Sequence, residues 1–215
     1  MVLSMFKKFI IHVGSDKAGS SSIQQAFYLN KDFLYEKCGL LYPLSGWHAQ
    51  LGSYFSLNPL TYSYNVGMGH EDSQQIKSND YLYFENFLKE LEQHSNAETI
   101  IVSYEGFISA EKSVLIKLKN FGESIAENVL VVIYVRPPVS YAISAMSQHV
   151  KCGNDPLPSG RPPKTDYKKN LNKLNDVFGK EKLIIRKFDR ESLYNGSVVD
   201  DFLMLCSEEI GRAHV

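Results

Sequence analysis

The 215-residue chain has few cysteines: only Cys38, Cys152 and Cys206. They are too few and too scattered for a disulfide framework, and they lack the paired spacing of a metal site. A reducing, cytoplasmic compartment with no bound metal is the expectation. No apolar run approaches the ~20 residues that span a bilayer, and residues 1–8 contain no signal-peptide apolar region. Charge of one sign is also missing. With 23 Lys+Arg against 24 Asp+Glu the net charge is -1, so the bulk charge points neither to nucleic acid nor to an acidic membrane, and it leaves room for a local basic cleft. Repeats and linkers are absent too, and one domain over residues 1–209 is expected. The apolar content of 44% is ample for a core.

The short runs 9–13, 99–104, 129–135 and 183–188 are apolar and rich in β-branched residues, and they read as strands. A further short strand is expected at 39–43, closed by Pro43. Helical spacing marks 19–30, 81–93 (through Leu82, Phe84, Leu88 and Leu91), 111–121, 137–151, 166–178 and 198–207. The best strands are continuously apolar rather than alternating, and strands alternate with helices. That combination predicts an α/β fold in three layers, a central parallel sheet with helices on both faces. Residues 44–79, aromatic and Gly/Asn-rich, give no clear period. Residues 152–164 hold four of the eight prolines and read as a loop, either a lid over an acceptor or an exposed spacer. Residues 210–215, Ile-Gly-Arg-Ala-His-Val, match what one reading frame of a common sequencing adapter encodes. They are expected to be a non-native tail, with the native chain continuing beyond about Glu208.

The chemistry is concentrated at the first strand-to-helix turn, from His12 through Gly14, Lys17 and Gly19 to Ser20, Ser21 and Ser22. Gly14 and Gly19 let the backbone turn tightly and approach a ligand. The helix start offers N–H groups and a positive dipole end, Lys17 a full charge, and the serines three hydroxyls. Together they make an anion cradle. The nucleotide P-loop needs Gly-Lys-Ser/Thr in direct succession, whereas here Lys17 precedes Gly19 by two positions. A second element is Arg136, at the end of the 129–135 strand, with Ser144 eight residues later and Ser140 between them. Arginine supplies a planar, permanently charged fork for phosphate. Glu105 follows the 99–104 strand, and ligands of open α/β sheets sit beyond the carboxyl ends of strands. His48, after the 39–43 strand, is the rival candidate base, and Trp47 beside it offers a ring face to a sugar.

The order of the loop resembles the 5′-phosphosulfate-binding loop of sulfotransferases that use 3′-phosphoadenosine 5′-phosphosulfate (PAPS), in particular the bacterial and carbohydrate-type members. Arg136 and Ser144 resemble that family's 3′-phosphate site, and the likeness runs from about Phe9 to Glu208. Asp16 and Ala18 depart from the residues usual in the loop. The resemblance implies a P-loop NTPase-like sulfotransferase fold. It also implies transfer of a sulfuryl group from PAPS to a hydroxyl or amine of a carbohydrate or similar acceptor, leaving 3′-phosphoadenosine 5′-phosphate (PAP). Glu105 or His48 would be the base and Lys17 the charge stabiliser. Gly14, Lys17, Gly19, Ser20, Ser21, Ser22, Arg136 and Ser144 would bind the donor. A small-molecule kinase using the same cradle with Mg²⁺, and a nucleotide-binding module without catalysis, are the alternatives.

Overall fold

The structure, a computed structural model, describes residues 6–15, 17–44, 46–157 and 160–207. Asp16, Ser45 and the adapter-like segment 210–215 lie outside the described residues. Five strands form the sheet: β1 (Phe6–Val13), β2 (Leu40–Leu41), β3 (Thr99–Tyr104), β4 (Ala126–Val135) and β5 (Leu183–Lys187), in the order β2-β3-β1-β4-β5. Every pairing is parallel, with His12 opposite both Ser103 and Val132. All strands therefore end at one edge. The chain goes from β1 to the edge strand β2, returns inward to β3, and then crosses to the other side of β1 for β4 and β5, a topology in which a crevice opens beyond the strand ends.

The continuous apolar character of β1, β3 and β4 follows from burial on both faces. Successive side chains point to opposite sides. Phe9, Ile11, Val13, Ile100, Val102, Val131 and Ile133 enter one core. That core is closed by α3 (Ala49–Phe55), α5 (Ser73–Gln93), α6 (Lys112–Ile125) and α8 (Tyr167–Phe178). Ile10, Ile101, Leu130, Val132 and Tyr134 enter the other. It is closed by α1 (Ser20–Leu29), α2 (Lys31–Cys38) and α9 (Val198–Ser207). The three-layer α/β arrangement expected from the sequence is present. The remaining helices are α4 (Ser63–Gly67) and α7 (Pro138–Lys151), the latter opened by proline in its first turn, where the missing N–H has no partner to lose.

Two stretches differ from the sequence reading. Residues 44–79 fold into α3, a short 3-10 turn (Pro59–Thr61), α4 and the first turns of α5, a cap over the first core. Helix α5 starts at Ser73 rather than near residue 81, because the Asp72 carboxylate accepts from the N–H groups of Gln74 and Gln75. Its buried stripe is Ile76, Asp80, Tyr83, Phe87 and Leu91. Leu82 faces solvent, and Phe84 and Leu88 are only half-buried. Among the described residues, no helix is long and apolar enough to cross a membrane. The three cysteines are free thiols.

Candidate functional site

Gly14 and Ser15 follow β1 at its carboxyl end, and Lys17–Gly19 lead into α1. The Gly14 N–H donates to the Tyr104 carbonyl at 3.4 Å, which ties the loop to the end of β3. A Cβ on Gly14 would lie 2.6 Å from Glu105 Cγ, 2.6 Å from Ser20 Oγ and 2.8 Å from Glu105 Cα. Only glycine fits there, and its bare Cα brings the Glu105 stem and the Ser20 hydroxyl to the same point. Gly19 adopts the left-handed region at φ 81°, and a Cβ there would meet Phe188 and Val198 at 2.8 Å. The α1 helix thus starts hard against the segment that follows β5, without a side-chain cap.

Helix α1 presents N–H groups that have no carbonyl partner within the helix. The three serines of its first turn are not equivalent. Ser21 and Ser22 are exposed. Ser20 is buried, and its Oγ has no hydrogen-bond partner among the described residues. A hydroxyl left unpaired in that position is costly, and a bound oxyanion at the helix N-terminus would satisfy it. Lys17, half-buried, sits at φ 61°, a conformation that costs a non-glycine residue on the order of 1 kcal/mol.

Arg136 fastens the loop from the β4 side. Its Nη1 donates to the Lys17 carbonyl at 2.6 Å and its Nε to Ser140 Oγ at 2.7 Å. The guanidinium lies 5.4 Å from the centre of the Phe188 ring. These two bonds use two of its five N–H donors. The hydroxyl it engages is Ser140, one turn into α7, rather than Ser144 on the next turn. A cleft of about 450 Å³ opens here, walled by Arg136, Ser140, Phe188, Arg190, Leu193 and Val198, and Ser144 is not among its walls. Phe188 and Arg190 were absent from the sequence reading. Their signal was their position just after a parallel strand, the same argument that selected Glu105 and Arg136.

The segment that carries Arg190 is anchored by Asp201, a fully buried carboxylate on α9. It accepts from the Tyr134 hydroxyl at 2.8 Å, from the Tyr194 N–H at 3.0 Å, and from Arg186 through both Nε (3.1 Å) and Nη2. Burial alone would push its carboxyl up. The bonds from Arg186, Tyr194 and Tyr134 outweigh burial and hold it below the usual aspartate value.

Glu105 and His48 have different surroundings. Glu105 is half-buried at the end of β3, directly against Gly14 of the loop. His48 is fully buried. Its Nδ1 accepts from the Ser103 N–H at 3.0 Å, its Nε2 donates to the Pro43 carbonyl at 2.9 Å, and its own N–H donates to the Ser103 carbonyl at 2.9 Å. The ring thus continues the pairing of β3 where β2, only two residues long, has already ended. Burial pushes its pKa down to about 4, partly offset by the carbonyl contacts. With both ring nitrogens committed to backbone and no exposed surface, His48 has no route to an acceptor proton, and this geometry corrects its candidacy as base. Trp47 beside it is 48% exposed, with its ring edge-on to Tyr64 and Tyr104. His12 is likewise buried, its Nδ1 2.7 Å from Ser103 Oγ and its ring against Phe202, and burial lowers its pKa to about 3. Among the described residues, no group of three or more His, Cys, Asp or Glu side chains is placed to hold a metal ion.

No protein-family model matches the chain, and no curated protein matches it in sequence. Among solved structures it is similar to a sulfotransferase from Alicyclobacillus acidocaldarius, with a TM-score of 0.51 and 17% identity over 85% of this chain and 73% of that one. At that identity the likeness is one of fold: this chain has a sulfotransferase-like α/β fold, a parallel sheet with helices around it.

Proposed function

We propose that the protein is a sulfotransferase that uses PAPS as donor and a hydroxyl or amine as acceptor. The observation that carries this reading is the buried Ser20 hydroxyl at the start of α1, which has no partner among the described residues. Gly14 stands beside it, Lys17 lies in the same loop, and Arg136 is fastened to that loop through the Lys17 carbonyl. This is a built oxyanion site with a second cationic side chain beside it, without the Gly-Lys-Ser/Thr order of a nucleotide P-loop. The fold of the solved sulfotransferase supports the same reading.

PAPS supplies the activated sulfuryl group when bound. On this reading, Gly14, Gly19 and the α1 N-terminus receive the 5′-phosphate, and Ser20 donates to it. Ser21 and Ser22 line the exposed side of the same turn. Lys17 stabilises the negative charge that grows on the leaving phosphate, a contribution of the kind worth ~10²–10³ in rate. Arg136 binds the 3′-phosphate, with Ser140 fixing its guanidinium and Ser144 offering a second hydroxyl one turn on. Phe188 and Arg190 form the adjoining wall for the nucleoside. Glu105, pressed against Gly14, takes the acceptor proton as general base.

Calorimetric titration with PAP, AMP and Mg²⁺–ATP tests this reading. PAP should bind most tightly, because only it carries a 3′-phosphate. Charge-assisted hydrogen bonds contribute about 1.5–3 kcal/mol each, so Arg136→Ala should weaken PAP by roughly tenfold or more and AMP by less. Equal losses for both nucleotides would make Arg136 only a clasp on the Lys17 carbonyl. A strict preference for Mg²⁺–ATP would replace this reading with the kinase.

A further inference from the structure

A second cleft, of about 520 Å³, lies against the first turns of α7. One wall is Val139, Ala142, Ile143 and Met146 of that helix, and the facing wall is Pro162 and Pro163 of the proline-rich loop. Nearly all of its lining is apolar. Val139 and Ile143 are 74% and 61% exposed, although both are branched hydrocarbons. The lining residues with polar side chains are Tyr141 on α7, and Lys164 and Thr165 after the prolines. Two residues further on, the Tyr167 hydroxyl at the start of α8 lies 3.4 Å from Ser15 Oγ in the loop after β1. This cleft and the one beside Arg136 use different residues of the first turns of α7, and the β1–α1 loop is bonded to Arg136 of the one and to Tyr167, two residues beyond the lining of the other. Arg136 holds the Lys17 carbonyl, and Tyr167 touches Ser15.

We infer that this cleft holds the acceptor, and that the acceptor is an apolar body carrying a single hydroxyl rather than a sugar. The inference rests on the sulfotransferase reading for the identity of the reaction. The chemistry of the walls sets the class. Each hydroxyl of a sugar needs a partner when it leaves water, and the Val, Ala, Ile, Met and Pro side chains that make up most of the walls provide none. A hydrocarbon or aromatic ring system gains by covering those exposed side chains, and the volume falls within the range of small-ligand sites. The hydroxyl would face Lys164 and Thr165, toward the loop that receives the donor. The proline-rich loop is then a wall of the acceptor site rather than a spacer, and its prolines keep that wall stiff without N–H groups to satisfy. In the overall reaction the acceptor O–H bond breaks, the oxygen forms a bond to sulfur, the bond from sulfur to the bridging oxygen of PAPS breaks, and PAP leaves with that electron pair. The acceptor proton goes to Glu105.

Fluorescence titration of the full chain with 2-naphthol, in the presence of saturating PAP, tests the inference. N-acetylglucosamine serves as the polar competitor. Wild type should bind 2-naphthol, and N-acetylglucosamine should not displace it. Ile143→Asp and Val139→Asp, at positions exposed enough to leave folding intact, should each weaken 2-naphthol by at least about tenfold and leave PAP affinity unchanged. If PAP binds but 2-naphthol does not, or if neither substitution alters its binding, the acceptor inference is overturned and the sulfotransferase reading stands. If PAP itself fails to bind, the donor reading falls and takes the acceptor assignment with it. If the substitutions change only the oligomeric state in sedimentation, the apolar walls belong to an interface between copies and the inference is again overturned.

Discussion

Gly14 couples the loop after β1 to Glu105 through steric contact, and Gly14→Ala tests that coupling directly. The added methyl would stand 2.6 Å from Glu105 Cγ, 2.6 Å from Ser20 Oγ and 2.8 Å from Glu105 Cα. Ordinary carbon contacts begin near 3.5 Å, so each neighbour would have to move by most of an ångström. The Ser20 hydroxyl can rotate. The Glu105 Cα is backbone at the end of a fully buried strand, with the Gly14 N–H bound to the carbonyl of the preceding residue. Over-packing of this kind costs about 1–3 kcal/mol, which for a chain of this size lowers Tm by roughly 2–10 °C. The same displacement moves Ser20 and Glu105 apart, so PAP affinity and turnover should fall beyond what the loss of stability explains.

Scanning calorimetry with PAP titration below the transition would measure both effects. Gly67→Ala is the matched control: it sits in α4 with nothing within 4 Å of its added Cβ and no left-handed backbone, so it should be neutral or stabilise by a few tenths of a kcal/mol. A double-mutant cycle of Gly14→Ala with Glu105→Ala removes the Cγ contact, and the two changes should be less than additive by about 0.5 kcal/mol or more. A Gly14→Ala protein with unchanged Tm and PAP affinity would refute the placement of the loop against β3, and with it the pairing of Glu105 and Ser20 at one site.

Three further outcomes follow from the same contacts. Asp201→Asn should destabilise by about 2–4 kcal/mol, less than for a fully buried pair because Arg186 is partly exposed; denaturant unfolding and faster amide exchange over residues 189–197 would show it. Since the folded pKa of Asp201 is depressed, the stability it contributes is present above 3.8 and lost as pH falls below that value, a slope that Asp201→Asn should remove. Asp80 has the opposite sign: burial raises its carboxyl to about 6 while Ser53 donates to it. Its contribution is fully present below about 4 and lost as pH rises to about 6, so Asp80→Asn should stabilise by on the order of 1–3 kcal/mol at pH 7.5 and by almost nothing at pH 3.5. His48→Ala should lower Tm through the loss of its two ring hydrogen bonds, with the folded fraction retaining most of its turnover; a loss of ~10²-fold or more in folded enzyme would return His48 to the chemistry.

What the sequence made legible was set by how directly each feature reports on burial. Strands β1, β3 and β4 are continuously apolar because both faces are covered, and their positions stand in the sequence almost unaltered. The sheet order is not legible, since nothing in a buried strand records which neighbour it pairs with. Helix α5 was misread because the stripe that faces the core contains Asp80 and Tyr83, whereas the more apolar Leu82 faces water. Asp80 is tolerated there by the Ser53 hydroxyl, a partner distant in sequence and so invisible to periodicity. The same limit explains Arg136. The chain shows an arginine at a strand end with serines at four and eight residues, and only packing against the Lys17 carbonyl and Phe188 shows that the nearer serine is engaged.

The two histidines near the loop show how a chemically apt residue becomes structural. His12 and His48 both pack near the end of β3 and both contact Ser103, one through its hydroxyl and the other through its backbone. Burial shifts both rings toward the neutral form. At His48 the neutral imidazole acts as an extra backbone unit, one nitrogen accepting and the other donating. At His12 only Nδ1 is engaged, and Nε2 is buried without a partner among the described residues. At His48 a gained proton would break the bond from the Ser103 N–H; at His12 burial itself opposes charging of the ring. On the proposed reading, proton transfer in the crevice is assigned to Glu105, which begins the 3-10 turn that follows β3 and lies against residue 14 because that residue has no side chain. On this argument the glycine and the carboxylate form one functional pair, and a substitution at either should be read at both.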